Sequence, residues 1–317
     1  MRFLMLAGLL ATSACSPYGF EKEIGEFSSG LSALSGAFDD NLNAARNDFE
    51  QRQFATYSME RPRIRVAASC GIPANALPTA SPECQVVRLV PSSIESGYLP
   101  IMQGITRAAT NTGPVLRALQ KYANALEAIT KASDRLAFDT ASSQLVTSVG
   151  ALSTALNLAV PGAGAILPAA VKAGTFLISQ ALDAERRKVI SAQTHAVDPY
   201  MKSIAVVLGQ GLEAISLARQ GIVLETANGL AGSMNQSVPV SLYATRLEQV
   251  QGRITELNKL RRANPTQVAA ALADAHHKLV EALDDPQRSL ASLATAVTDF
   301  AEQAQDFQKA VSSSQGK

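Results

Sequence analysis

The sequence predicts a mainly α-helical protein: an elongated antiparallel bundle of long coiled-coil-like helices with a small disulfide-closed β-hairpin insertion. Apolar residues recur at steps of three and four along most of the chain, the period of one buried helix face. Hydrophobic residues make up 47% of the 317 residues but aromatic ones only 5%, so small side chains and Leu fill the core. A two-residue period is confined to residues 62–90. We expect residues 15–317 to form a single elongated helical domain.

The chain begins MRFLMLAGLLATSAC, which has the three parts of an export signal. Arg2 is the basic part, residues 3–11 are the apolar part, and the small residues 12–14 precede Cys15. These features resemble a bacterial lipoprotein signal, in which the Cys becomes the first mature residue and carries the acyl chains. The resemblance covers only this stretch, and it implies a signal peptide at residues 1–14 and lipidation of Cys15.

Two further residues bear on where this resemblance places the protein. In lipoproteins of this kind, Ser directly after the Cys, here Ser16, goes with export to the outer membrane. The resemblance therefore implies a cell-envelope protein that is anchored by acyl chains and faces the periplasm or the cell surface. Thr12 stands where the lipoprotein pattern prefers Leu, Val or Ile. The alternative is an ordinary secretory signal cut near Ala14, with Cys15 unmodified.

The first helix is predicted from Phe20 to Arg61. Pro62 ends it, because the residue before a proline avoids helical geometry. Its apolar residues follow a spacing close to the coiled-coil repeat, and we expect them to be buried: Phe20, Ile24, Phe27, Leu31, Leu34, Phe38, Leu42, Ala45 and Phe49.

Residues 62–90 are predicted to form the β-hairpin, because RPRIRVAASC alternates polar and apolar residues and CQVVRLV is rich in β-branched ones. Cys70 and Cys84 flank its Pro-rich loop. If Cys15 is acylated, they remain as a pair in an oxidising compartment. Closing the loop with a disulfide would stabilise the fold by about 3 kcal/mol. A basic face either binds an anionic group or is only the solvated side of the strands: Arg63, Arg65 and Arg88.

After a connection rich in Pro, Ser and Gly, a second helix is predicted as one continuous stripe that ends before Pro161. A third begins near Pro168, has a kink or break at Pro199 and fades after Ile222. The second stripe includes Leu119, Tyr122, Leu126, Ile129, Ser133, Leu136, Leu145, Val149, Leu152 and Leu156. A fourth helix carries the seam Val240, Tyr243, Leu247, Val250, Ile254 and Leu257.

The last two helices have recognisable starts. Asn264–Pro265 and Asp285–Pro286 each look like an N-cap followed by Pro at the first helical position. His276 flanks the predicted seam of the first of these helices, and His277 lies on its solvated side. The two buried stripes are predicted to be Val268, Leu272, Ala275, Leu279 and Ala282, and then Leu290, Leu293, Val297, Phe300, Ala304, Phe307 and Val311.

The most apolar run is LNLAVPGAGAILPAAV, residues 156–171. Its prolines and glycines break it into a helix–helix turn that is too short to cross a bilayer alone. In one interpretation the turn is buried against protein. In the other it is an exposed tip that enters a membrane or binds a partner, since soluble proteins seldom expose such patches without a use. The candidate contact residues are Leu156, Leu158, Val160, Ile166 and Leu167.

The layout of this region is similar to that of α-helical pore-forming toxins of the haemolysin E type. In those toxins a Gly/Ala-rich apolar hairpin between long helices enters lipid. The similarity is one of layout and composition, and it implies a membrane-active function for residues 156–171.

No catalytic, cofactor-binding or nucleic-acid-binding pattern is evident. The net charge of +1 provides no electrostatic reason for a nucleic-acid partner. Asp274, His277 and Glu281 share a helix face and can in principle hold a metal, although such exposed rows are usually ordinary charge patterning. His195 has Asp198 three residues on, but no motif places a nucleophile beside it.

The sequence therefore predicts a cell-envelope lipoprotein that acts as a non-enzymatic structural or adaptor protein through helical surfaces. Its expected partners are the membrane, through the acyl anchor, and another protein or a second copy, through the helices. No cofactor and no metal are expected. The alternative is a membrane-active protein that inserts the turn at residues 156–171.

Overall fold

The computed structural model describes residues 20–60, 64–66, 86–88, 93–161, 182–234 and 237–312, with side chains outside residues 53–102. These residues form a helical bundle, which confirms the coarse fold class. The helices are α1 Glu21–Glu60, α2 Ser93–Lys131, α3 Arg135–Ala159, α4 Leu182–Gly232, α5 Val240–Arg262, α6 Pro265–Asp284 and α7 Pro286–Ser312. The strands are β1 Ile64–Val66 and β2 Val86–Arg88.

The long helix α4 organises the bundle. With 51 residues, it spans about 75 Å at 1.5 Å per residue. It contacts α1, α2, α3, α5 and α6, while α1 packs against α7 and α2, and α3 packs chiefly on α2. By length and composition α4 is also apolar enough to cross a membrane, and half of its most apolar window is buried among the neighbouring helices.

The predicted stripes of α1, α6 and α7 are buried in one continuous core. Every predicted position from Phe20 to Ala45 on α1 is at most 8% exposed, while Phe49 is half-buried. Gly30 allows α1 and α7 to approach closely, because a Cβ atom there would lie 2.6 Å from Cε1 of Phe300. On α7 only Leu290 is half-buried rather than buried. The period of three and four thus correctly identified the core face of these helices.

Both predicted proline starts are confirmed as helix starts. Asn264 is the N-cap of α6, and its side-chain oxygen accepts a hydrogen bond from the backbone N–H of Gln267 at 3.1 Å, with Pro265 at the first position. α7 begins at Pro286. Proline fits there because its missing N–H has no partner in the first helical turn.

The prediction that the second helix is continuous up to Pro161 is wrong. α2 ends at Lys131 and α3 starts at Arg135, because Asp134 caps α3 by accepting a hydrogen bond from the backbone N–H of Ala137 at 2.8 Å. Leu136, which was predicted to be buried, is 78% exposed. The stretch expected to be a connection rich in Pro, Ser and Gly instead forms the beginning of α2.

Of the predicted kink or break at Pro199, the break does not occur, since α4 continues through it. The neighbouring side chains of Val197 and Met201 are 0% and 2% exposed, so packing on both sides holds the helical path. Residues 162–181 lie outside the described residues, and with them the predicted start near Pro168.

Residues of the predicted hairpin form an antiparallel pair of three-residue strands. Ile64 lies opposite Arg88, and Val66 lies opposite Val86. Cys70, Cys84 and Arg63 lie outside the described residues. The disulfide therefore stays a prediction. The predicted basic face is wrong for Arg88, because Arg88 lies opposite Ile64 while Arg65 lies opposite Val87, which places Arg65 and Arg88 on opposite faces of the strand pair.

The seam of α5 is the largest departure from the expected core. Val240 is 86% exposed, Tyr243 41%, Leu247 43% and Ile254 47%. Only the end of α5 is covered, where Glu256, Leu257 and Leu260 face α4 and α7. A heptad pattern marks an apolar face, but here no helix among the described residues covers most of that face.

Candidate functional site

The apolar turn is divided between core and surface. Leu156 is 0% exposed, so the predicted contact with a membrane or partner does not apply to it. Leu158 and Val160 are 72% and 40% exposed. Ile166 and Leu167 lie outside the described residues, as does the predicted lipidation site Cys15.

The histidines make contacts that the sequence did not predict, although His277 lies on the solvated side of its helix as expected, with 56% of its side chain exposed. His195 lies 3.2 Å from Oδ2 of Asp284, not beside Asp198. His277 lies 3.5 Å from Glu281 and 2.9 Å from Asp198, while Asp274 adds no third ligand. The described part of the chain holds no group of three or more His, Cys, Asp or Glu residues that is arranged to bind a metal.

Asp198 is instead the centre of a partly buried polar network, which we call the histidine network; the side chains of Asp198 and His277 are 21% and 56% exposed. Nδ1 of His276 donates a hydrogen bond to Oδ1 of Asp198 at 3.0 Å, and Nδ1 of His277 donates to Oδ2 at 2.9 Å. With its Nδ1 proton facing the carboxylate, neutral His276 accepts at Nε2 from the hydroxyl of Tyr122 at 2.9 Å. The network joins α2, α4 and α6 across the core.

The protonation states follow from this geometry. The hydrogen bond from His276 is the main reason that the pKa of Asp198 falls to about 2. Burial lowers the pKa of His276 against the opposing effect of Asp198, and burial raises the pKa of Tyr122 well above its ordinary value. Tyr122 and His276 are both 0% exposed. Their hydrogen bonds connect α2, α4 and α6 in the interior of the bundle.

A second buried network, the arginine network, lies further along α4. Arg219 is 0% exposed. Its guanidinium donates to Glu256 at 2.8 Å, to the backbone oxygen of Val311 at 2.7 Å, and to Asn41 and Asp48 at 3.3 and 3.4 Å. These contacts connect α4 to α1, α5 and α7.

Arg253 completes the arginine network. It lies 3.0 Å from Glu256 and 3.4 Å from Asp48. Burial and the neighbouring charge of Glu256 raise the pKa of Asp48, although both arginines act in the opposite direction. The network therefore contains two carboxylates and two guanidinium groups in a largely dry site.

The exposed apolar row of α5 is the clearest candidate for binding a macromolecule. We call it the α5 seam: Val240, Tyr243, Leu247, Val250 and Ile254. All are exposed except the half-buried Val250. Their spacing places them at alternating a and d positions of a heptad, which is the arrangement of a coiled-coil interface.

The α5 seam and the beginning of α1 lie at opposite ends of α4. Phe20 lines a small cavity with Ile190, near the start of α4. At the other end, Arg246 donates a hydrogen bond to the backbone oxygen of Ser233 at 2.9 Å, directly after α4 ends. Most of the length of α4 therefore separates the two regions.

The sequence missed both networks. The apolar spacing places Tyr122 in a buried stripe and indicates no role for Arg219, because neither has a chemical partner nearby in the sequence. The partner of Tyr122 is 154 positions away, and Glu256 is 37 positions from Arg219. Comparisons of the chain with protein-family models, curated proteins and solved structures found no match.

Proposed function

We propose that the protein is a cell-envelope lipoprotein, acylated at Cys15, that acts as a non-enzymatic structural or adaptor protein. The observation that supports this proposal is the exposed α5 seam, located far from the start of α1. A large apolar row that remains solvent-exposed is typical of an interaction surface.

The dimensions of the chain suit such a role. The residues from Cys15 to Phe20 span at most about 18 Å, so acylation would hold the start of α1 near the membrane. The length of α4, about 75 Å, then allows the α5 seam to stand well away from the lipid surface. Several acyl chains bind a bilayer more firmly than one, so the protein would hold its partner at the membrane stably.

The anchor is tested by cell fractionation of the Cys15→Ala variant. We expect this variant to leave the membrane fraction, because it lacks the thiol that carries the lipid. The control is the double variant Cys70→Ser and Cys84→Ser, which keeps Cys15 and should stay in the membrane fraction. Equal membrane retention of wild type and Cys15→Ala would refute the anchor.

A disulfide between Cys70 and Cys84 is the second part of the proposal. The antiparallel pairing of β1 and β2 supports it, because the two cysteines follow one strand and precede the other. Alkylation of the unfolded, non-reduced protein should leave both thiols unmodified, and reduction should make both reactive. Two reactive thiols before reduction would contradict the disulfide.

Membrane insertion of residues 156–171 is a second candidate function. The observation that favours it is the exposure of Leu158 and Val160, which lie in the first part of this turn. Leu158→Asp should then abolish leakage of dye from liposomes without changing the helical content. Leu136→Asp is the matched control, since Leu136 is equally exposed but lies at the α2–α3 connection. Absence of leakage by the wild-type protein would reject this function.

A further inference from the structure

We propose that the α5 seam binds a helix of another protein, one with an apolar heptad seam flanked by Asp or Glu. The inference rests on the proposed adaptor function and names the chemistry of the partner. It follows from the exposed seam and from the charges that border it.

The heptad assignment follows directly from the seam. With Val240, Leu247 and Ile254 at a positions and Tyr243 and Val250 at d positions, the row extends over two complete heptads. A coiled-coil partner would insert its own apolar side chains between these residues. Such contacts remove the exposed apolar surface from water, which is the main driving force for association.

The flanking positions are asymmetric in charge. The g positions are both arginines, Arg246 and Arg253, whereas the e positions, Ala244 and Gln251, are uncharged. Arg253 is paired with Asp48 and Glu256, but its side chain remains 27% exposed at the border of the seam. Charged residues at e and g positions set the choice and orientation of a coiled-coil partner.

These charges argue against a second copy of the chain as the occupant. In an antiparallel pair of α5 helices, g positions face each other and would bring Arg246 and Arg253 together. In a parallel pair, each arginine would face Ala244 or Gln251 and gain no ion pair. A helix with Asp or Glu at the facing positions forms ion pairs in either orientation, so charge complementarity selects an acidic partner.

Exposed leucines on α4 extend the apolar surface beside α5. Leu217 and Leu224 are 58% and 40% exposed. They lie on the same face of α4 as Gln220, three and four residues away, and the Gln220 side chain donates a hydrogen bond to the backbone oxygen of Leu260 on α5. The leucines therefore lie near the end of α5, beyond Ile254, the last residue of the seam.

Designed peptides test the charge of the partner. The probes are two fluorescent three-heptad helices with Leu at a and d positions, one with Glu and one with Lys at e and g positions, added to the purified full chain. We expect the Glu peptide to bind at least about tenfold more tightly than the Lys peptide by fluorescence anisotropy. The variant Arg246→Glu, at a half-buried position beside the seam, should reduce this ratio.

Controls separate the seam from the rest of the surface. Leu247→Asp should abolish binding of the Glu peptide without changing the helical content. Leu136→Asp, which changes an exposed leucine at the start of α3, should leave binding of the Glu peptide intact. Equal binding of the two peptides, binding of neither, or binding unaffected by Leu247→Asp would overturn the proposal. A seam-dependent dimer in sedimentation, or seam-dependent binding to lipid vesicles, would overturn it in favour of another occupant. These measurements require no acyl anchor, so they can fail while the fractionation result for Cys15→Ala still holds.

Discussion

The histidine network and the arginine network both hold an aspartate among packed helices, but the two aspartates have different partners. Both place polar groups in an Ala- and Leu-rich core, and both contain an aspartate that receives hydrogen bonds from side chains on other helices. Asp198 accepts hydrogen bonds of 3.0 and 2.9 Å from two imidazoles, and the second carboxylate nearby, Glu281, lies 3.5 Å from His277. Asp48 shares its site with a second carboxylate, Glu256, and its contacts with arginine are 3.4 Å long.

The difference appears in the pKa shifts of the two aspartates. Hydrogen bonds from His276 and His277 lower the pKa of Asp198 to about 2. Burial and the charge of Glu256 raise the pKa of Asp48 despite two neighbouring arginines. For Asp48, burial and then the like charge of Glu256 outweigh two neighbouring arginines, whereas for Asp198 the hydrogen bonds from the histidines outweigh partial burial.

Removing Arg219 should have the largest effect on stability. Arg219→Met leaves Asp48 and Glu256 as buried carboxylates with only Arg253 beside them, and we expect the free energy of unfolding to fall by about 3–5 kcal/mol. Urea denaturation followed by circular dichroism measures this loss. Arg187→Met, at an exposed position on α4, is the control and should change stability by less than about 0.5 kcal/mol. A similar loss for both variants would contradict the assigned role of the arginine network.

Tyr122→Phe should lower the free energy of unfolding by less than Arg219→Met does. It leaves a neutral acceptor without its partner, whereas Arg219→Met leaves charged groups without theirs. Nε2 of His276 would lose its hydrogen bond in a fully buried site, and we expect a loss of about 1–3 kcal/mol in urea denaturation. Tyr243→Phe is the matched control, since Tyr243 is exposed and its hydroxyl reaches water. If the two variants were equally stable, the histidine network would contribute little to the fold.

The low pKa of Asp198 can be tested by measuring stability and ionisation at acidic pH. Its folded pKa of about 2 lies below the ordinary 3.8. The stability that it contributes is therefore complete above pH 3.8 and is lost as the pH falls towards 2. Carboxyl-carbon NMR titration should show Asp198 ionised at pH 3. A midpoint at or above 3.8 would show that the hydrogen bonds to the histidines are absent in solution.

His276, like Asp198, should make the protein less stable as the pH falls, but in a higher pH range. Burial lowers its pKa below 6.5, so its contribution to stability is complete above pH 6.5 and decreases as the pH falls below that value.

Asp48 should show the smallest effect and the opposite sign. Because its folded pKa is raised above 3.8, the folded state binds the proton more tightly than the unfolded state. The melting temperature of wild type should therefore rise relative to that of Asp48→Asn as the pH falls from neutrality to 3.8. A constant difference between the two proteins over this range would show that the pKa of Asp48 is not raised.

A comparison of α7 with α5 shows what the spacing of apolar residues can predict and what it cannot. The stripe of α7 and the seam of α5 follow the same spacing, yet Phe300 is fully buried and Leu247 is 43% exposed. Periodicity identifies an apolar face, but it does not show whether another helix lies against that face. The apolar spacing also did not predict the break between α2 and α3. The spacing continues across the break, which depends instead on Asp134 capping the start of α3.

The sequence by itself determined most helices, their buried stripes and the starts of α6 and α7, since these depend on side chains a few residues apart. The tertiary structure decided which stripes are covered, how α4 passes through Pro199 and how the two polar networks assemble. Tyr122 meets His276, and Arg219 meets Val311, only after the helices that carry them have packed into the bundle. Hydrogen bonds over such separations depend on the relative positions of whole helices, and local sequence does not encode these positions.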